Sequence, residues 1–392
     1  MAYGIWAGLI AGLAGLFSGT AQAADWLLVG QHYHTTTDVE FSQDPSRRDP
    51  KGSYRVDGIR ELLERGAKLG LDAMVVTEHN AVATCFDRLF QDSTNKVTLI
   101  CGEEWTNKRS LHLGLINPPV SRDTDGYVPR DADKVRDKTD VENDARELVR
   151  AVHAGLRSRG QTGLAVINHP GFEMYRPADS LGADAAEVVV PEYEDAVKTR
   201  LWWMRRLAAG ERLVALGGSD FHACQGWDCL KRGDYFRTLF SEPVNLVYAD
   251  SAAPADVVAA MARGRVVALA GAKYAKLRVE LFLERGERDG RTYAMGDVVE
   301  GARAGDLLKA RVRILNGEGL FAVVYGVAGS GGKGAPFTVA REIELASDAY
   351  DDVLELKRGE ARDAIHVEVF EPEDWASHSD ALPIAVSNPI YF

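Results

Sequence analysis

Positive charge is in short supply in this chain. Lys and Arg number 46 against 58 Asp and Glu, a formal net charge of −12 over 392 residues. Phosphate backbones demand a basic face, so nucleic acid is excluded as a main partner, although a local basic pocket is not. Long apolar runs are also scarce. Beyond residue 23 none is long enough to cross a bilayer. A phosphate loop is missing too. Gly329-Ser330-Gly331-Gly332-Lys333-Gly334 has Val327 where that motif needs its first Gly, and Gly334 where it needs Ser or Thr. The stretch reads as a hairpin loop.

Cysteine is limited to four residues. Their state depends on the compartment, and residues 1–23 bear on that. Ile5 to Phe17 is apolar and rich in small residues, and Ala21-Gln22-Ala23 is an A-x-A site. This reads as a signal peptide cleaved after Ala23, although its start lacks Lys and Arg. The alternative is an uncleaved anchor, for which the run is short. Export to the periplasm or medium leaves no membrane span after cleavage. It also predicts local disulfides Cys85–Cys101 and Cys224–Cys229. In the cytosol the same residues would be four free thiols.

What is present is an α/β pattern. Trp26 to Val29, Leu71 to Thr77, Val97 to Cys101, Leu111 to Ile116, Leu164 to Ile167, Glu187 to Val190, Leu213 to Leu216 and Val244 to Tyr248 are short apolar strands. Val56, Ile59, Leu62, Leu63 and Ala67 recur at helical spacing, as do Val141, Ala145, Leu148, Val149, Val152 and Leu156. Helices are also predicted over 196–209 and 255–263. Strands alternating with helices imply a mostly parallel sheet, and residues 24–275 have the length of one TIM-like barrel. The tail, 276–392, differs. Ala310 to Ile314 and Ile365 to Val369 alternate with period two, which predicts an antiparallel β-sandwich domain.

Polar residues gather at the strand ends, where α/β enzymes place their chemistry. They are His32, His34, Asp38, His79, Glu104, His112, His169, Asp220 and His222. His32 and His34, two apart on a strand, point to one side. Any one member has a bland reading; His112 suits a core and Asp220 a helix cap. Six of the nine histidines at successive strand ends is a stronger signal. Six imidazoles and three carboxylates exceed one ion's needs. They suit two or three divalent metal ions such as Zn, Mn or Fe, with a carboxylate bridging.

Over residues 24–275 these pieces resemble the PHP family, the polymerase and histidinol phosphatase metallohydrolases. The resemblance rests on His32-x-His34 with Asp38, Thr77-Glu78-His79-Asn80, Gly102-x-Glu104, His112, Asn168-His169-Pro170 and Gly218-Ser219-Asp220-x-His222, in family order. It implies a distorted (β/α)7 barrel whose site holds two or three metals. His32, His34, Glu104 and Asp220 would hold the first. Glu104 would bridge to a second, held also by His112 and His169. Asp38, His79 and His222 would hold a third. Glu78 departs from the family, which usually has Asp there. Ser387-Asn388-Pro389-Ile390-Tyr391 is similar to the carbaryl-hydrolase-like branch.

The expected activity is metal-dependent hydrolysis, first of a phosphoester, with Asp220, Glu104 and His222 carrying catalysis. Arg55, Arg109 and Arg176, with Lys51, follow strand-end residues and could clamp a small anionic substrate; the bland alternative for each is a solvated surface charge. Hydrolysis of a carboxylic ester, amide or carbamate is the alternative. An aryl substrate of that kind would be favoured by a pocket lined with Trp105, Trp202, Trp203 or Trp227. A non-catalytic, metal-stabilised binding protein is the third reading.

Overall fold

A computed structural model describes residues 24–36, 54–93, 97–107, 111–122, 126–127, 138–171, 176–191, 193–223, 239–284, 291–301, 303, 305–327, 338–357, 364–374 and 381–392. Residues 1–23, Asp38, Lys51, Arg109, Cys224, Cys229, Trp227, the 329–334 loop and His378 lie outside this set.

The chain opens with β1 (Asp25–His34) and α1 (Val56–Leu69). In α1, Gly58, Ile59, Leu62 and Gly66 form the buried stripe, and Gly70 ends the helix at φ 78°, a left-handed position that favours glycine. β2 (Ala73–His79) follows and is buried at all seven positions. Burial without alternation, with Ala73 to Val76 all apolar, belongs to a strand covered on both faces. After the short α2 (Arg88–Gln91) come β3 (Thr98–Thr106) and β4 (His112–Ile116). Next are α3 (Lys138–Arg159), β5 (Leu164–Ile167), β6 (Ala185–Val189), α4 (Tyr193–Ala208), β7 (Val214–Gly217) and the two-residue β8 (Phe221–His222). Then come β9 (Val244–Ala249), α5 (Pro254–Ala262) and β10 (Val266–Leu269).

β1 to β7 lie side by side in chain order. β1, β2 and β3 are parallel, β4 is antiparallel to both neighbours, and β5, β6 and β7 are parallel again. The row curls until its ends meet: Ser219 N donates to Gln31 O at 3.0 Å, and β8 pairs with β1. One apolar cluster draws on all seven strands, with Val29, Val75, Ile100, Ile116, Val166, Ala185 and Leu216. The architecture is thus mixed α/β and mostly sheet. Strict strand–helix alternation fails at β4, and no helix separates β5 from β6 among the described residues.

The tail is antiparallel, and its strands divide between two sheets. β11 (Arg278–Glu284), β12 (Thr292–Ala294), β13 (Leu307–Leu315) and β16 (Ala349–Lys357) form one in the order β12-β11-β13-β16. β14 (Phe321–Val327), β15 (Thr338–Glu344), β17 (Ala364–Phe370), β18 (Ala385–Ser387) and β19 (Ile390–Tyr391) extend the large sheet, with β18 pairing β10. Val279, Leu281, Val312 and Ile314 of the first sheet share a core with Val324, Ile343, Val367 and Val369 of the second. Of the Ser387–Tyr391 motif, Asn388 acts as a latch. Its amide exchanges hydrogen bonds with Ala215 N and O (2.7 and 3.0 Å) on the free edge of β7. Asn245 does the same for Gly217 (2.8 and 2.9 Å). Two side chains thus satisfy backbone groups that a further strand would otherwise pair.

Cys85 and Cys101 form a disulfide, which ties the turn after β2 to the middle of β3. No helix of the described residues is long and apolar enough to cross a membrane.

Candidate metal centre

One rim of the seven-strand row collects the candidate ligands. His32 and His34 end β1, His79 ends β2, Glu104 lies near the end of β3, and His112 opens the antiparallel β4. His169 follows β5, Asp220 follows β7, and His222 ends β8. The strand register sets their heights: His79 stands beside Glu104, Thr106 beside His112, and His34 beside His222. His32 does not owe its direction to regular alternation. It sits at φ 67° where the β1–β2 register slips, a left-handed bulge position. Asn80, His169 and Asp220 are also left-handed, at 50°, 30° and 53°. Non-glycine residues rarely adopt that region, and such positions cluster at functional sites.

Glu104 is the hub and is fully buried. Its Oε1 lies 3.2 Å from His32 Nε2, 3.1 Å from His112 Nδ1 and 3.4 Å from His169 Nε2. Asn168 Nδ2 donates to the same oxygen at 3.0 Å. Oε2 lies 2.9 Å from His79 Nδ1 and 3.5 Å from His34 Nε2. Asp220 Oδ1 is 3.3, 3.4 and 3.4 Å from Nε2 of His32, His34 and His222. Its side chain is 42% exposed, so Asp220 faces the open side of an otherwise closed cluster. His34 is stacked between His222 and His79, with ring centroids 4.1 and 4.4 Å away.

Among the described residues, four groups of donor atoms lie close enough to share an ion: His32, His34, Glu104 and Asp220; Glu104, His112 and His169; His34, His79 and His222; and His32, His169 and Glu187. Buried nitrogens His32 Nε2, His34 Nε2 and His79 Nε2, and Glu104 Oε2, have no hydrogen-bond partner among the described residues. Buried polar atoms are costly unless satisfied. A divalent cation satisfies this set, since imidazole and carboxylate suit Zn, Mn and Fe.

The electrostatics agree. Burial would raise the carboxyl of Glu104, but His32, His112 and His79 outweigh it and hold it well below the usual range. Burial likewise opposes ionisation of Asp220, and His32, His222 and His34 overcome it. Burial would lower His32, yet Glu104, Glu187 and Asp220 hold it well above 6.5. Burial and the rings of His222 and His79 push His34 down. Two ionised carboxylates in a buried pocket call for positive charge, which a proton on His32 or a metal ion can supply.

Outer partners fix several rings. His222 Nδ1 donates to Thr36 O at 2.9 Å, which leaves Nε2 for the centre. Glu103 turns away and accepts from Tyr127 N at 2.7 Å. Glu78 does not join the cluster. It accepts from Thr35 N at 2.9 Å and from the Thr35 hydroxyl, and burial pushes its carboxyl up to about 7. Of the candidate anion clamps, Arg55 and Arg176 lie within the described residues. Arg176 donates to Pro170 O and Gly171 O, bracing the turn after His169. Arg55 gives its backbone N–H to Thr35 Oγ1.

Sequence reasoning missed Glu187. The available signal was one carboxylate inside the apolar run Ala185-Ala186-Glu187-Val188-Val189.

No family model matches the chain. No curated protein matches it either. Among solved structures it is similar to a two-domain protein from Bacteroides vulgatus ATCC 8482, described as containing a predicted PHP-like metal-dependent phosphoesterase. Identity is 14%, coverage is 94% of this chain and 95% of that one, and the TM-score is 0.39. Similarity this distant leaves function to be read from the side chains.

Proposed function

We propose that this protein is a metal-dependent phosphoesterase of the PHP type, with a distorted (β/α)7 barrel formed by β1 to β7 and a site for two or three divalent ions. The observation that carries the reading is the convergence of His32, His34, His79, His112, His169 and His222 on Glu104 and Asp220. Divalent ions held by these residues would acidify a water molecule and offset charge on a phosphoryl group. Glu104 would be the ligand shared between neighbouring ions, since Oε1 faces His32, His112 and His169 while Oε2 faces His79 and His34. Asp220 is the partly exposed ligand, placed at the mouth to orient the attacking water. His222, held by Thr36 O, keeps its Nε2 toward Asp220. Clustered cations favour an anionic small-molecule substrate over a neutral one. The rival aryl-pocket reading loses support, because Trp105, Trp202 and Trp203 are all core residues, and the two indoles of α4 donate to Pro177 O and Leu213 O. The resemblance to the carbaryl-hydrolase-like branch rests on the Ser387–Tyr391 motif alone. Export is proposed from the A-x-A site, and an oxidising compartment would keep the Cys85–Cys101 pair bonded.

The test is hydrolysis by Mn- or Zn-loaded protein of a bis-aryl phosphate, an aryl monophosphate and an aryl carbamate, side by side. Chelator-sensitive turnover of the phosphates is expected. Turnover of the carbamate alone would replace this reading with the carbonyl hydrolase.

A further inference from the structure

Glu187 is a buried carboxylate in the middle of β6, 1% exposed, in a strand otherwise made of Ala and Val. Its two oxygens do different work. Oε1 lies 2.7 Å from His32 Nδ1. Oε2 accepts the backbone N–H of His169 at 2.8 Å. The Gln31 amide, turned so that both its ends are satisfied, donates to Oε1 at 3.0 Å and to Gly217 O at 3.1 Å. Gly218 makes room for this arrangement, since a Cβ there would collide with the Glu187 carboxylate.

An imidazole that donates from Nδ1 to a carboxylate is fixed in one tautomer and one tilt. Its Nε2 lone pair then points the other way. For His32 that way is the centre, with Glu104 at 3.2 Å and Asp220 at 3.3 Å. The second oxygen acts on backbone. His32 and His169 both occupy left-handed positions, at φ 67° and 30°. One carboxylate therefore ties a strained strand end and a strained turn to the same strand, and their rings lie 5.7 Å apart and nearly parallel.

We propose that Glu187 is a positioning residue of the metal centre, fixing the tautomer and tilt of His32 and holding the His169 turn in place. This inference rests on the metal-dependent reading above. Glu187 acts through the two histidines and not on substrate.

The test uses full-length protein and Co(II) alone as the probe. Wild type is expected to bind Co(II) with a visible absorption spectrum characteristic of its ligand geometry. Glu187→Gln keeps the shape and removes the charge. It is expected to stay folded, to bind Co(II) about 10- to 100-fold more weakly, and to show an altered spectrum. Glu187→Asp keeps the charge on a shorter arm and should recover part of the affinity. A merely structural carboxylate would change the melting temperature and leave the spectrum alone. Wild-type affinity and spectrum in Glu187→Gln would overturn the assignment, as would loss of folding in both variants. Failure of wild type to bind Co(II) at all would instead sink the metal-dependent reading itself.

Discussion

Among the described residues, two buried histidine–carboxylate clusters differ in how their charges are met. At the junction of α4 with the tail, Arg200 and Glu368 are 1% and 0% exposed. Arg200 donates from Nε at 2.9 Å and from Nη2 at 2.6 Å, and Nη2 also reaches the Tyr325 hydroxyl at 3.1 Å. His366 Nε2 lies 3.2 Å from Glu368 Oε1, between the rings of Trp203 and Tyr325. One guanidinium answers one carboxylate, and among the described residues a single atom of this cluster, His366 Nδ1, is left without a hydrogen-bond partner, with no second orphan beside it. At the rim, carboxylates meet imidazoles whose buried nitrogens point at one another. The first pattern is that of a structural lock; the second is that of a site that needs a ligand. Burial of polar groups does not separate the two. Convergence of unsatisfied donors does.

The strongest way to break this comparison is to remove charge from the rim. Asp220→Asn preserves shape and takes away a ligand charge. Turnover is expected to fall by more than about 100-fold, the upper range for losing an outer carboxylate, with the fold retained. Steady-state kinetics and circular dichroism check this together. Full activity would remove Asp220 from the site.

The same operation at the junction should strike stability instead. Glu368→Gln leaves Arg200 buried without its counter-charge, at a cost of about 3–5 kcal/mol. Urea unfolding reads it, and an unchanged midpoint would show that the pair is dispensable. Acid acts on the same bond. Burial would raise the Glu368 carboxyl, but Arg200 and His366 outweigh it and lower it from 4.5 to about 2. A carboxyl lowered on folding stabilises the folded state above its unfolded value. That stability is lost as pH falls from about 4.5 toward 2, with the Glu368→Gln variant losing less over the window.

The strand-end histidines were legible because a strand end is a local feature. A run such as Leu71 to Thr77 followed by Glu78-His79 can be read without knowing its neighbours. Glu187 was not legible, because nothing local separates it from a solvated residue on a strand. Its role exists only once β6 lies beside the turns after β5 and β7. Glu78 shows the reverse. Its chemistry suits a metal, but Thr35 captures it. The tail was readable as antiparallel from β13 and β17, since period-two alternation reports a half-buried strand. The sharing of one sheet through β18 and β10 was not, because a three-residue strand carries too little pattern. Asn388 closing the edge of β7 depends on a contact across more than 170 positions.

The mildest perturbation sharpens the comparison most. His366 is as buried as His32 and also touches a glutamate. If burial beside a carboxylate made a catalytic histidine, the two would be equivalent. In His366→Ala, Glu368 keeps its bonds from Arg200 and loses the one from the imidazole. Stability should drop by about 1–3 kcal/mol, the range for disturbing a buried hydrogen bond. Turnover per folded molecule and the amount of bound Mn or Zn should match wild type when measured below the melting transition. A loss of bound metal in that variant would mean that the junction and the rim are one coupled system, and that Arg200 and Glu368 help set the geometry of the centre.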